Sequence, residues 1–274
     1  MGIEHYGICD RQFALVRPFS EDIFEARDLV NTPRLATIKC YILDENTLVL
    51  EAPQMQRITL SSTKLENSAV SVKVDSLIGC GRICSKNVSD WFNKFLKETD
   101  NFVVYYSDLL PKRALSSSDK FKHARSSDWL NYSDYSHITA ITEESVNEVM
   151  IKSGNKIGSS TYRANIVIKN TKMPWIEDHY NNLYIRNCVM RFSRPFCCTS
   201  AQTVDSNGKF RENREPIVTL RCIRSRFRKI YFPPMGNEYL IEKPSTIFVG
   251  DDVLTEFSVI LYCKLFFKKK FKFL

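Results

Sequence analysis

The chain has 274 residues, 43% apolar, 12% aromatic and 26% charged, with nine glycines and ten prolines. That composition excludes a collagen-like or low-complexity chain and leaves room for one large domain or two small ones. The formal charge of +8 is mostly a tail: residues 258–274 hold five lysines and no acid, so the remainder carries +3, too little for the broad basic footprint of a nucleic-acid binder.

In chain order, short β-branched runs come first: "FALV" (13–16), "LATIKCYIL" (35–43), "TLVLEA" (47–52), "QRITL" (56–60) and "AVSVKV" (69–74) read as strands. "DEN" (44–46) reads as a hairpin turn. Over 85–98 the period changes to 3.6, with Val88, Trp91, Phe92, Phe95 and Leu96 on one helical face and Ser85 placed to cap it. "FVVYY" (102–106) is a further strand, and the polar stretch 107–131 a linker or long surface loop.

The second half repeats the mixture. Strands are expected over 137–142, 164–168, 182–192, 229–232, 238–242 and 245–253. Helices are expected over 143–153, with acids in the first turn, and over 215–226. No internal repeat is present. The fold class is α+β: two β-rich halves with few helices.

Nine cysteines, at 9, 40, 80, 84, 188, 197, 198, 222 and 263, form no C-x-x-C pair, and Cys80 and Cys84 lack a second pair at zinc spacing. With no secretory leader and no apolar run of membrane-helix length, an intracellular protein with reduced thiols is expected. The four histidines (5, 123, 137, 179) have no metal-ligand spacing, and no G-x-S-x-G, P-loop or G-x-G-x-x-G occurs. What remains are polar residues punctuating apolar strands: "YSDYS" (132–136), "YRANIVI" (162–168) and "RPFCC" (194–198). Arginine forks and Ser or Asn donors at strand ends suit a polyanion, and a thiolate beside them suits a metal. Cys197 and Cys198, adjacent and poorly placed to bridge each other, are packing residues, redox groups or ligands.

Taken in order these motifs resemble the MOSC domain and, over residues 10–253, the amidoxime-reducing family of MOSC proteins. The resemblance is carried by "TPRLATI" (32–38), "GRICSKNVSDWFNKFL" (81–96), "YSDYS", "RANIVI" (163–168), "PWIEDHYNNLYI" (174–185), "TVDSNGKFRENREPIVTL" (203–220) and "GNEYLIEKPSTIFVGDDV" (236–253). It implies an N-terminal MOSC-type β-barrel domain (1–112), a MOSC β-barrel domain (113–257) and a tail (258–274). Between the domains it implies a molybdenum-molybdopterin cofactor that reduces N-hydroxylated compounds. Electrons would come from a flavin reductase through a b5-type cytochrome.

Residue by residue, the resemblance gives cofactor contacts to Asp134 and Ser136, with Tyr135 in place of the family's Thr, and to Arg163, Asn165 and Arg11. At the family's metal-binding stretch Phe196 replaces one cysteine, and the ligating cysteine falls on Thr199. A one-residue slip would make Cys198 the metal ligand and catalytic thiolate, with Cys197 the further candidate.

The family's first strand, with its Lys-Ser pair, would lie before residue 1, so a truncated barrel with an open sheet edge is expected. By resemblance the protein would sit at the mitochondrial outer membrane; without an anchor helix it would be cytoplasmic, with the basic-aromatic tail offering weak contact to an anionic membrane. The rival reading is a non-catalytic MOSC protein binding a cofactor or phosphate-bearing ligand, pyridoxal phosphate included.

Overall fold

The structure is a computed structural model that describes residues 3–106, 113–115, 125, 127–224 and 232–257. Most of the 107–131 linker, His123, all but the end of the expected 229–232 strand, and the 258–274 tail therefore lie outside the described residues.

In the N-terminal half, the strands Phe13–Ser20, Ile23–Ala26, Leu65–Val74, Leu77–Cys84 and Phe102–Tyr105 close into a five-stranded barrel. Closure leaves this sheet no open edge, contrary to the expected exposed one, because Phe102–Tyr105 pairs with Phe13–Ser20 on one side and Leu77–Cys84 on the other. A three-stranded sheet, Lys39–Asp44, Thr47–Glu51 and Ile58–Ser61, stands beside it. Its first hairpin turns at 44–46, where Asn46 N donates to Asp44 Oδ1 at 2.9 Å.

The helix Lys86–Leu96 buries Val88, Trp91, Phe92 and Phe95 and stops at Lys97, which is left-handed at φ 58°. Ser85 sits at its N-cap without a side-chain capping bond. One expected strand begins late: Pro33 fixes the first turn of a 3-10 helix, Pro33–Thr37, so the strand starts only at Lys39.

The C-terminal half is a six-stranded half-barrel in the order Ile166–Ile168, Ile138–Thr142, Pro234–Lys243, Cys188–Cys197, Tyr180–Ile185, Val253–Phe257. The first two are parallel and linked through the helix Glu143–Ser153. Thr142 accepts from Ser145 N at 3.3 Å, Glu143 and Glu144 occupy the first turn, and left-handed Gly154 ends the helix. The expected 182–192 strand is two strands, reversing at left-handed Arg186. The expected 245–253 strand is a loop leading to Val253–Phe257.

Both faces of the half-barrel are covered. Ile138, Leu183, Met190 and Tyr239 pack on one side, and Ile141, Val146, Tyr162, Leu220 and Met235 on the other. Burying both faces makes the central strands apolar throughout, which is why polar groups there stand out.

Candidate cofactor site

The central pair of strands, Cys188–Cys197 and Pro234–Lys243, carries most of the candidate site. Their ladder slips at Phe192/Arg194 and at Phe196/Cys197. At the second slip Gly236 faces Phe196, and a Cβ on Gly236 would run into Ala140 O and sit 2.7 Å from Ile141 Cγ2. The backbone approach there admits only glycine.

The slips give the two adjacent cysteines different surroundings. Cys198 is 0% exposed, packed with Ile141, Val146, Tyr162 and Leu220, and its N–H donates to Pro233 O at 2.9 Å. Burial pushes its thiol well above the ordinary value. Cys198, the expected metal ligand, lies in the apolar core, where burial disfavours its free thiolate.

Cys197 is half-buried at the end of the strand, its Sγ 3.8 Å from Pro195 O. Burial raises its pKa to about 11, with Arg194 and Arg224 pulling it down and Glu238 pushing it up. Thr199 is engaged locally. It caps the 3-10 turn Ser200–Thr203, its N–H donating to Gln202 Oε1 at 2.8 Å and its Oγ1 accepting from Ala201 N at 3.3 Å.

Two guanidiniums converge on the far end of that turn. Arg163, left-handed at φ 52°, donates to Ala201 O at 3.1 Å, and Arg211 donates to Gln202 O at 3.0 Å. Desolvation and the neighbouring Arg211 charge lower the pKa of Arg163. Neither arginine has a carboxylate partner within salt-bridge distance among the described residues. Arg211 also acts on the Asp205 carboxylate, so two guanidiniums beside one carboxylate leave a net positive patch that suits an anion such as a phosphate. Arg211 escaped sequence reading because it lies in a charged loop, "KFREN", that looks like solvated surface.

Asn165 does structural work between the two halves. Its Oδ1 accepts from Thr139 N at 2.9 Å, its own N–H donates to Thr139 O at 2.9 Å, and its Nδ2 donates to Asp10 Oδ2 at 2.8 Å. The same Asp10 oxygen takes Arg11 Nη1 at 2.5 Å, and Arg11 O accepts from Tyr132 N at 3.0 Å. Arg11 and Asn165, far apart in sequence, are therefore joined through one carboxylate.

The "YSDYS" turn completes the wall. Ser136 is buried and donates to Ile138 O at 3.3 Å; Asp134 is exposed; the Tyr135 ring lies under the Arg194 guanidinium at 4.5 Å. Arg194 reaches toward Glu238, Nε to Oε2 at 3.6 Å. Glu238 is buried, with that oxygen lacking a hydrogen-bond partner. Burial lifts its pKa to about 7, opposed by Arg194 and Arg11 and reinforced by Asp134. So the turn at 132–136, the loop at Arg11 and the strand at 194 all act on one buried carboxyl.

Among the described residues no cluster of three His, Cys, Asp or Glu could hold a metal ion by itself. A molybdenum-pterin group asks less of the protein: one thiol and a cationic cradle for its phosphate. Cys197 offers a half-buried thiol and Arg163 with Arg211 a pair of cations for such a group, whereas the Cys198 thiol is sealed in the core and Thr199 has no thiol.

Known proteins resemble the chain over most of its length. Residues 1–99 match the family model of the MOSC N-terminal beta barrel domain. The chain is 29% identical over 262 residues to mitochondrial amidoxime-reducing component 1 of Homo sapiens, covering 92% of this chain and 74% of that protein. It is 28% identical to the Mus musculus counterpart over the same shares. To mitochondrial amidoxime reducing component 2 of Homo sapiens it is 25% identical over 266 residues, 92% of this chain and 75% of the relative.

Proposed function

We propose that this chain, a MOSC-type protein similar over most of its length to the mitochondrial amidoxime-reducing components, is a molybdenum-cofactor-dependent reductase of N-hydroxylated compounds. The observation that carries the reading is the Arg163–Arg211 pair on the Ser200–Thr203 turn, which begins three residues after the half-buried Cys197 thiol.

In this reading Cys197 is the metal ligand, Arg163 and Arg211 hold the phosphate, and the Asp134–Tyr135–Ser136 turn walls the cofactor. Asn165 and Arg11 fix the approach of the two halves through Asp10. The bound cofactor would supply the two electrons that break an N–O bond. The protein's part is position and proton supply. Glu238, with a pKa of about 7, holds a proton on its carboxyl near neutral pH, beside Arg194 and close enough to affect the Cys197 thiol. Electrons would arrive from a b5-type cytochrome and its flavin reductase, as the resemblance implies. The relatives are named mitochondrial, and no described helix is long and apolar enough to cross a membrane.

The test is molybdenum and pterin content of the purified full chain beside Cys197→Ser, Cys198→Ala and Arg163→Met. Near-stoichiometric molybdenum in the parent and in Cys198→Ala, with loss in Cys197→Ser, is the expected result. Molybdenum missing from the parent, in a host that makes the cofactor, would sink the reductase. It would favour the second reading, a non-catalytic binder of a phosphate-bearing ligand, which Thr199 in its capping role and the sealed Cys198 support.

A further inference from the structure

The segment from Thr203 to Arg211 is a narrow hairpin whose base carries one of the paired arginines. Arg211 N donates to Thr203 O at 2.8 Å, Val204 bridges Phe210, and Asp205 N donates to Lys209 O at 2.8 Å. Near the tip the Asp205 carboxylate accepts from Asn207 N and Lys209 N, both at 2.9 Å.

Gly208 stands at the tip, left-handed at φ +71°, and presses on the other half of the molecule. A Cβ there would lie 2.9 Å from Arg34 Cα, 3.0 Å from Thr37 Cγ2 and 3.1 Å from Pro33 O. No side chain fits so close to another backbone. The surface it meets is firmly seated. The 3-10 turn Pro33–Thr37 rests on the N-terminal core through Leu35 and the following Ile38, and the Arg34 guanidinium lies 4.4 Å from the centre of the Phe95 ring.

A two-stranded hairpin is marginally stable by itself in water. This one bears an added load at its base, where Arg211 and Arg163 hold the adjacent carbonyls of Gln202 and Ala201 and repel each other. Seating the tip steadies the hairpin from one end. An anion between the guanidiniums would relieve the repulsion at the other.

We propose that Gly208 is a positioning residue for the anion site: its hairpin carries the docking of the N-terminal half to Arg211, so that anion binding and docking stabilise each other. Loading the site therefore tightens the contact between the halves, and loosening that contact weakens the site by the same factor. That the anion is a cofactor phosphate rests on the reductase reading; the coupling itself does not.

The test uses inorganic phosphate as the probe on the full chain, against chloride at matched ionic strength, with amide hydrogen exchange and calorimetry as readouts. In the parent, phosphate should slow exchange at the Gln202 and Arg211 amides and also at the remote Leu35 and Ile38 amides, whose bonds to Thr32 O and Leu35 O lie in the docked turn. Gly208→Ala keeps both arginines, yet it should bind phosphate about fivefold or more weakly and lose the remote protection. Thr37→Leu crowds the same contact from the other half and should do likewise, which keeps the test open should the first variant misfold. Protection confined to residues 200–211, or parent affinity in both variants, would overturn the coupling and leave the arginine pair as an anion site. No phosphate effect on the parent would overturn both. A protein that shows the coupling but purifies without molybdenum, in a host that makes the cofactor, keeps this inference and loses the reductase.

Discussion

Arg224→Met is expected to lower the free energy of unfolding by about 3–5 kcal/mol, because it strands a buried carboxylate without its counter-ion. Arg224 is 3% exposed, and its guanidinium makes a two-pronged pair with Asp178, Nη1 to Oδ2 at 2.9 Å and Nη2 to Oδ1 at 2.6 Å, while lying over the Trp175 ring at 4.5 Å. The pair ties the end of the helix Ile217–Ile223 to the 3-10 turn Ile176–His179. Urea unfolding followed by circular dichroism measures the loss. Adding Asp178→Asn to Arg224→Met should recover part of it, since the stranded charge goes too; a double variant no better than the single would show that packing on Trp175, not charge, sets the cost. The same substitution removes a cation that stabilises the Cys197 thiolate, so the pH at which Cys197 becomes alkylated should move upward.

A second large effect is concealed in the parent protein. Glu238 is lifted from 4.5 to about 7, chiefly by burial, so its contribution to stability is fully present below pH 4.5 and lost as the pH rises through 7. His137 behaves oppositely. Burial lowers it from 6.5 to about 4, so its contribution is present above pH 6.5 and lost as the pH falls toward 4. His137 is held neutral by two backbone groups: Ile241 N donates to Nδ1 at 2.9 Å, which leaves the Nε2 proton for Trp129 O at 2.7 Å.

Between about pH 4.5 and 6.5 the two slopes cancel. Glu238→Gln removes one of them. Relative to the parent, this variant should gain up to about 3 kcal/mol on going from pH 4.5 to pH 7.5. Its own stability should then fall as the pH drops below 6.5, where the parent holds level with respect to these two groups. Urea midpoints of parent and variant at matched pH values check this, and a difference independent of pH would refute it.

Much of the architecture was legible because local chemistry and the tertiary fold agree. The 3.6-residue spacing of Val88, Trp91, Phe92 and Phe95 could be met only by a helix lying on a core, and that is where Lys86–Leu96 lies. The Asp-Glu-Asn turn and the acidic start of Glu143–Ser153 followed from equally local forces.

The site was less legible, for reasons visible in particular residues. Counting sides along Cys188–Cys197 fails because the ladder slips at Phe192/Arg194 and again before Cys197, so sequence alone could not say which cysteine enters the core. Glu238 reads as the solvent-facing charge of an alternating strand, "EYLIE", yet the Pro234–Lys243 strand runs through the middle of a sheet covered on both faces. Pro33 turned the start of an expected strand into a helical turn by fixing one backbone angle.

The single carboxylate joining Arg11 to Asn165 also imposes an order on synthesis. Asp10 leaves the ribosome 155 residues before its partner, which at about 5–20 residues per second is a wait of roughly 8–30 s. All five barrel strands have been made by Tyr105, so the barrel can close early in that interval. During translation the closed barrel therefore precedes the carboxylate link that ties it to the second half.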